Sequence, residues 1–402
     1  MAKEGVVALA EEGRRKSVLF VGYGLRRDFL RPAGYQRVVQ GSIAALALRG
    51  YKVAYLELIW TDKKPLDTEV MFKANGKRIH VRLLRLSLKL SYKNEPEFYI
   101  KTAKALFNER MLDVLERLNP GFVIVEGYTP WYLARNLAKL MDAKLMLRVH
   151  TLLSRCIRCT ADKSLSHISW MYASALHVVL LAQVSNWALT FTSADERELR
   201  RFFIRRISMV EPTYASLIAS PSHATITEID LDIEPPFLIC YRPWKLYVHL
   251  AKAMPDIRIV VIGIPKHEFL RAVGLSRDRL PSNLVIPGEV YGRALERLLK
   301  NTSLLPIPDR CFSGPCVRLI EGLAFGVPML ATSPVAKTIR GLRPGVHLLV
   351  EDRFDRWPRI LRYVISHEEL RAELGQNAHR FFEEHLRPAI HGRKLEAVLK
   401  AI

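Results

Sequence analysis

Residues 312–333 read FSGPCVRLIEGLAFGVPMLATS, and this stretch carries most of the information about the fold class. The Gly-Pro pair at 314–315 predicts a turn, and the apolar spacing over 316–325 predicts a helix. Gly326 is a helix stop, and the apolar run 327–331 predicts a short buried strand. A loop, a helix and a strand in this order are typical of an α/β protein.

The entry to this helix and one acidic residue on it are candidate functional features. A helix that begins after a glycine turn presents free backbone N–H groups and the positive end of its dipole, so the entry at Gly314 suits a phosphate or another anion. Glu321 lies among apolar residues, where a carboxylate needs a hydrogen-bonding partner or an opening towards a ligand. The alternative is an ordinary helix and strand, because Gly-Pro matches of this kind recur by chance.

The stretch resembles the donor-binding segment of the retaining glycosyltransferases of family four, two-domain enzymes of the GT-B fold. Their pattern reads E-G-x-x-x-x-x-x-E-A-M-A-x-G-x-P-V-V-A-T. An ungapped alignment places Gly314 on the first glycine, followed by Pro315, and Glu321 on the second glutamate. The resemblance implies that Glu321 binds the ribose of the nucleotide and acts in catalysis. Ser313 stands where the family has its first glutamate, which lies beside the donor sugar, so the match supports nucleotide binding better than transfer.

A second part of the donor site is implied by FLICYRPWK, residues 237–245. In the resembling family this strand ends in G-R-x-x-x-x-K-G, whose arginine and lysine bind the donor diphosphate. Here Arg242 and Lys245 are three apart and Tyr241 replaces the glycine, so the division of roles between the two cations stays open. Arg binds oxygens bidentately and Lys supplies a point charge, which suits a diphosphate. The alternative is a pair of surface cations.

The first half opens with a predicted βαβ unit. SVLFVGYG at 17–24 and the segment 52–58 predict buried strands, and 35–49 predicts the helix between them. The family has a glycine pair before this helix, which lets the backbone approach the donor phosphates or the acceptor. Gly34 keeps one glycine of that pair, and Ala33 replaces the other.

His150 ends the predicted strand AKLMLRVHT. Ligands gather beyond the carboxyl ends of strands in a parallel sheet, which makes His150 a candidate site residue. The resembling enzymes commonly have a histidine at the end of the corresponding strand, and this implies a catalytic position. A structural histidine with its hydrogen bonds satisfied is an equally good interpretation.

Strands and helices alternate on both sides of residues 211–236, a stretch rich in Pro, Ser and Thr. The sequence therefore predicts an α/β fold with two Rossmann-like, doubly wound domains that face each other across a cleft. Residues 1–210 form the acceptor domain of this prediction, with 211–236 as the linker. Residues 237–385 form the nucleotide-sugar domain, and 386–402 predict a helix that crosses back to the first domain.

The charge balance indicates an anionic partner. The 402 residues include 61 Lys and Arg against 40 Asp and Glu, a formal charge of +21. Nucleic acid, an anionic membrane surface and phosphate-bearing substrates are the candidate partners. Nucleic acid is the less favoured, because no zinc-finger spacing, RNP-like motif or basic zipper occurs. The alternating basic and apolar segment 78–93 predicts either a half-buried strand with a solvated basic face or a surface for acidic lipid head groups.

Location and metal content follow from what the sequence lacks. Residues 1–16 carry acidic residues and no cleavage-like ending, which argues against a signal peptide and for a cytoplasmic protein. If the basic segment 78–93 binds acidic lipids, the protein is peripheral on the inner face of the membrane. Residues 164–194 hold no Lys, Arg, Asp or Glu, but the polar residues in this stretch favour a buried helix and a strand over a membrane span. Cys156 and Cys159 are too few ligands for a closed zinc site. No metal and no cofactor besides the sugar donor are expected.

These observations predict glycosyl transfer, hexosyltransferase-like and retaining, from a nucleotide-sugar to a polysaccharide, glycan or lipid-linked acceptor. The alternative is a basic binding protein that keeps the GT-B fold without the chemistry. Three departures from the family pattern favour that alternative: Ser313, the altered arginine and lysine spacing, and Lys337 or Thr338 where a later glutamate is usual. Asp309, just upstream of the motif, is a candidate replacement carboxylate.

Overall fold

The computed structural model describes residues 13–14, 16–24, 34–59, 66–87, 109–128, 130–150, 164–219, 233–241, 243–310 and 313–402. The predictions for Arg242, Cys156 and Cys159 lie outside the described residues. The chain divides into two compact units, of which the first comprises Met1–Ala224, Ser313–Pro315 and Pro388–Ile402. The second comprises Thr225–Phe312 and Cys316–Arg387.

Fifteen strands and thirteen α-helices occur within the described ranges. The strands are β1 Ser17–Gly24, β2 Lys52–Ile59, β3 Leu66–Ala74, β4 Lys77–Ser87, β5 Phe122–Glu126, β6 Lys144–Val149, β7 Trp187–Thr190, β8 Ile207–Met209, β9 Ser216–Ala219, β10 Phe237–Cys240, β11 Arg258–Ile262, β12 Leu284–Gly288, β13 Leu305–Ile307, β14 Met329–Ala331 and β15 Leu349–Val350. The helices are α1 Gly34–Leu48, α2 Glu109–Leu118, α3 Trp131–Leu140, α4 Leu165–Val184, α5 Ser193–Arg201, α6 Trp244–Ala253, α7 Lys266–Val273, α8 Gly292–Asn301, α9 Val317–Phe325, α10 Ser333–Ala336, α11 Trp357–Ser366, α12 Glu368–His385 and α13 Pro388–Lys400.

The first unit is built on a nine-stranded sheet in the order β8-β7-β6-β5-β1-β2-β4-β3-β9. Strand β1 lies near the middle and pairs in parallel with β2 and β5. Its side chains from Val18 to Val21 are fully buried on both faces, as a continuous apolar run in a parallel sheet requires. The predicted βαβ unit is confirmed, with α1 beginning at Gly34. Residues 216–219, inside the stretch predicted as the linker, form β9 and pair antiparallel with β3.

Asn75 and Gly76, an Asn-Gly pair that is typical of hairpin turns, join β3 to β4, with φ of 49° and 75°. Ile79, Val81 and Leu83 of β4 enter the core, whereas Arg78, His80 and Arg82 between them are exposed. Arg85, further along the strand, is buried in an ion pair with Glu57. Arg82 donates two hydrogen bonds of 2.8 Å to the Asp67 carboxylate on β3, which neutralises part of that basic face. Residues 78–87 thus form a strand with one buried and one largely basic, exposed face, and binding of acidic lipids to that face stays a prediction.

Helix α4 and strand β7 occupy the uncharged segment, as predicted. The expected burial of the whole helix is wrong, because four apolar residues at four-residue spacing are more than half exposed: Tyr172, Leu176, Leu180 and Val184. A helix against one sheet face buries only the stripe that faces the sheet. None of the helices within the described ranges combines the length and apolarity needed to cross a membrane.

A buried polar chain fixes α13 inside the first unit. His391 is 2% exposed, and its Nδ1 lies 2.6 Å from the carbonyl oxygen of Glu211. A carbonyl only accepts, so Nδ1 carries the hydrogen and Nε2 accepts from the Ser42 hydroxyl on α1 at 2.9 Å. Arg148 Nη1 in turn donates to Ser42 Oγ at 2.9 Å. Burial, with the nearby charges of Arg148 and Lys394, lowers the pKa of His391 to about 3.

This lowered pKa predicts an acid-sensitive first unit. Between pH 6.5 and about 3 the unfolded chain binds one proton more than the folded chain, because His391 is neutral only in the folded chain. The free energy of unfolding therefore falls as the pH falls through that window, and the contribution of His391 is fully present above it. The loss should reach about 2 kcal/mol between pH 6.5 and 5. We expect His391→Asn to show a correspondingly smaller loss in urea unfolding at the two pH values. Equal losses in both proteins would contradict this linkage.

The second unit holds two parallel three-stranded sheets, β10-β11-β12 and β13-β14-β15. A parallel bridge from Leu238 to Leu304 joins β10 to the residue before β13, so the carboxyl ends of β10, β13 and β14 point to one edge. The loop, helix and strand predicted from residues 312–333 are confirmed where the structure describes them. Gly326 ends α9 in the left-handed conformation, with φ 65° and ψ 34°, which favours glycine.

Candidate functional site

Polar side chains of the second unit converge at the carboxyl-end edge of its strands. Tyr241 follows β10, Asp309 lies two residues beyond β13, and Thr332 follows β14. The Thr332 hydroxyl donates to the backbone carbonyl of Asp309, which ties two of these strand ends together. In open α/β sheets this edge is where ligands bind.

Glu321 is the buried carboxylate of this edge. Glu321 lies on helix α9 and is 0% exposed. The Tyr241 hydroxyl lies 3.4 Å from Glu321 Oε2. Sequence analysis identified Glu321 but treated Tyr241 only as a substitution in the family pattern. The available signal was the position of Tyr241, directly after a fully buried four-residue strand.

Arg318 and Asp309 form an ion pair next to Glu321. Arg318 Nη2 lies 2.5 Å from Asp309 Oδ2, and the guanidinium carbon sits 5.6 Å from the centre of the Tyr241 ring. Burial raises the pKa of Asp309, although Arg318 acts in the opposite direction. Because Asp309 is committed to Arg318, it is a poor source for the carboxylate missing at position 313. Burial also raises the pKa of the nearby Cys316 thiol to about 12, so this thiol is not a nucleophile at neutral pH.

Lys245 lies in the first turn of α6 and is exposed. Within the part of the chain that the structure describes, no carboxylate lies within 4.0 Å of its ammonium group, so its charge is available to a ligand. Lys245 and Tyr241 both follow the carboxyl end of β10. Arg242, between them, is outside the described residues.

The turn Ser313–Pro315 belongs to the first unit, where it contacts Asp195. Ser313 Oγ donates to Asp195 Oδ1 and Gly314 N donates to Asp195 Oδ2, both at 3.0 Å. Asp195 is 1% exposed and also accepts from the Thr192 hydroxyl at 2.6 Å. The backbone N–H predicted to hold a phosphate therefore holds a carboxylate. Gly314 has φ 80°, a backbone conformation that is strained for any residue with a side chain.

Asp195 was missed because the sequence offers two capping patterns one residue apart. Thr192 caps α5, accepting from the backbone N–H of Asp195 at 3.1 Å, whereas from sequence alone Ser193 followed by Glu196 three residues later is an equally good cap. Thr192 has the extended backbone that a cap requires. The correct register, T-x-x-D, would have marked Asp195 as the residue that faces the cap.

His150 directly follows β6 and is held by Glu126, the last residue of β5. His150 Nε2 lies 2.6 Å from Glu126 Oε2, and Arg148 Nη1 lies 3.1 Å from Glu126 Oε1. The Arg148 guanidinium is enclosed by the rings of Phe20 and Phe191, each 5.4 Å away. The structure thus brings His150 together with a fully buried carboxylate and a buried cation. Gly34, the other candidate of this unit, is the first residue of α1.

Known proteins resemble this chain in the sequence of one segment and in the fold of nearly the whole chain. Residues 242–390 match the family model described as glycosyl transferase-like. No curated protein matched the chain in sequence. The match covers Arg242, Lys245 and the stretch around Glu321, all predicted to bind the donor, and does not include Gly34.

Solved structures resemble almost the whole chain. Sucrose-phosphate synthase from Thermosynechococcus elongatus superposes with a TM-score of 0.71 at 13% identity, covering 95% of this chain and 98% of that one. HepE from Anabaena, in complex with UDP and glucose, gives 0.62 at 13% identity over 96% and 100%. WaaG, a glycosyltransferase involved in lipopolysaccharide biosynthesis, gives 0.63 at 14% identity over 96% and 100%. The chain therefore has the α/β fold of GT-B glycosyltransferases.

Proposed function

We propose that the protein transfers a sugar from a nucleotide-sugar donor to a glycan or lipid-linked acceptor, as a retaining glycosyltransferase of family four. The observation that carries the proposal is Glu321, a fully buried carboxylate at the ligand-binding edge of a parallel sheet, inside the segment that matches the glycosyl transferase-like family. HepE, which shares the fold, is described in complex with UDP-glucose, and this supports a UDP-sugar as the first donor to try.

The donor is bound through its nucleotide and its diphosphate. The Glu321 carboxylate accepts hydrogen bonds from the ribose hydroxyls, and Tyr241 orients that carboxylate. Lys245 and Arg242 contact the diphosphate, whose negative charge grows as the sugar leaves. Fixed positive charge in this place stabilises the leaving group without a metal ion.

Asp195 supplies the negative charge that the motif has lost at position 313. The family has a glutamate there, and here the Asp195 carboxylate contacts both Ser313 and Gly314 at 3.0 Å. While Asp195 holds the Gly314 N–H, that N–H is not available to a donor phosphate. His150, fixed by Glu126, is the candidate that contacts the transferred sugar.

The test is turnover. UDP-, ADP- and GDP-linked sugars labelled in the sugar are incubated with the protein and with candidate acceptors, and released nucleoside diphosphate and labelled product are measured. We expect release from one nucleotide class, stimulated by the acceptor. The binding-protein alternative has no comparison in its favour, but salt-dependent RNA binding without release from any sugar nucleotide would establish it over the transferase.

A further inference from the structure

A cavity of about 480 Å³ lies within the second unit, between the chain that leads into β15 and the C-terminal half of α12. Its lining includes five basic side chains and one carboxylate, namely Arg340, Arg343, His347, Arg380, His385 and Glu384. The walls also include Val346 and Phe381. The volume is within the range of roughly 300–1,000 Å³ that is usual for small-molecule sites.

This cavity is separate from the Glu321 site. Tyr241 and Thr332 follow the carboxyl ends of β10 and β14, whereas residues 340–347 precede β15. Strand β15 is parallel to β14, so its amino end lies at the opposite edge of the sheet. A ligand of the cavity is therefore distinct from a donor bound beside Glu321.

The positive charge of the cavity is not balanced internally. Arg340, Arg343 and Arg380 are exposed, and among the described residues no carboxylate lies within 4.0 Å of their guanidinium groups. Glu384 lies 3.9 Å from His385, on the same helix. Three guanidinium groups around one concave surface repel each other unless an anion binds between them, and their planar donor pairs match phosphate oxygens.

His347 adds a neutral hydrogen-bond donor. Its side chain is 8% exposed, and Nδ1 accepts the backbone N–H of Arg343 at 3.0 Å, so the hydrogen of the neutral ring lies on Nε2. Burial, with the charges of Arg343 and His385, lowers the pKa of His347 and keeps the ring neutral at pH 7. The ring packs against Phe381 at a centroid distance of 4.9 Å.

We propose that this cavity binds a phosphate ester carrying at least two negative charges. The guanidinium groups of Arg340, Arg343 and Arg380 contact the phosphate oxygens, and Phe381 with Val346 packs against the organic part. Two sources present this chemistry, a free phosphorylated metabolite and the head group of an anionic lipid. The proposal does not depend on the function of the Glu321 site.

Calorimetric titration with inorganic pyrophosphate tests the cavity. In the Arg343→Ala/Arg380→Ala protein, the affinity of the cavity for pyrophosphate should fall at least tenfold. The control is Arg359→Ala, which removes an exposed arginine of α11 outside the cavity and should change that affinity less than twofold. Pyrophosphate can also bind the proposed diphosphate site at Lys245, so the titrations are repeated in a Lys245→Ala background, where the cavity binding and its loss in the double variant should both remain. Equal affinity in the double variant and the wild type, or no pyrophosphate binding by the wild type, would overturn the proposal.

Two further arms separate the sources and the sites. If the wild type sediments with phosphatidylcholine vesicles that contain phosphatidic acid and the double variant does not, the ligand is a lipid head group. Pyrophosphate binding without vesicle binding assigns it to a free phosphorylated metabolite. Nucleotide-sugar binding should be the same in the double variant and the wild type, so failure of the cavity proposal and failure of the proposed transferase function give different results.

Discussion

Replacing Arg148 with methionine is expected to lower the free energy of unfolding of the first unit by about 3–5 kcal/mol. Arg148 is 2% exposed and Glu126 is 0% exposed, so the substitution leaves a buried carboxylate without its cation. It also removes the donor to Ser42 and the contacts with two aromatic rings. Urea unfolding followed by circular dichroism measures the change.

Two further variants decide whether the buried ion pair is the cause. Arg117→Met breaks an exposed pair with Asp113 on α2 and should cost no more than about 0.5 kcal/mol. The double variant Arg148→Met/Glu126→Gln removes both charges and should recover part of the loss, because the unpaired charge carries much of the penalty. A cost for Arg148→Met no larger than for Arg117→Met would show that the pair contributes little.

Replacing Glu321 with glutamine should weaken nucleotide-sugar binding by about 1–3 kcal/mol, because an amide offers the ribose hydroxyls one acceptor oxygen and no charge. The melting temperature should barely change. A structural role for Glu321, for example through a cation such as Arg318 on the same helix, would instead lower the melting temperature; Arg318 forms an ion pair with Asp309.

Tyr241→Phe is the matched control for Glu321→Gln. It removes the hydroxyl 3.4 Å from Glu321 and leaves the carboxylate in place, so it should weaken binding less than the glutamine variant does. If Glu321→Gln instead lowers the melting temperature and leaves nucleotide affinity alone, Glu321 is a structural residue and the proposed donor site loses its central carboxylate.

The sequence predicted the individual helices, strands and turns well, because the interactions that form them join residues that are close together in the chain. Strand β1 has the predicted bounds, since an uninterrupted apolar run between polar residues can only be buried on both faces. The β3–β4 hairpin follows from Asn75 and Gly76, which tolerate the positive φ of the turn. Helix α9 begins after Cys316 and ends at Gly326, as the glycine stop indicated.

The site was predicted only in part, because its decisive contacts join distant parts of the chain. Asp195 and Ser313 are separated by 118 positions, and no periodicity links them. Glu126 meets His150 because β5 and β6 are neighbours in the sheet, which depends on strand order rather than on either segment alone. Charged residues at the ends of buried strands were the available signal, and Glu126, the last residue of β5, was not taken from it.

Titration of nucleotide sugars into the intact protein by calorimetry tests the central claim most directly. UDP-glucose, ADP-glucose and a GDP-sugar are titrated separately into the wild type and into Glu321→Gln, with Arg343→Ala/Arg380→Ala to exclude binding in the second cavity. We expect the wild type and the arginine variant to bind one of these donors with the same affinity and Glu321→Gln to bind it more weakly. Absence of binding for all three donors, or equal binding by Glu321→Gln, would contradict it.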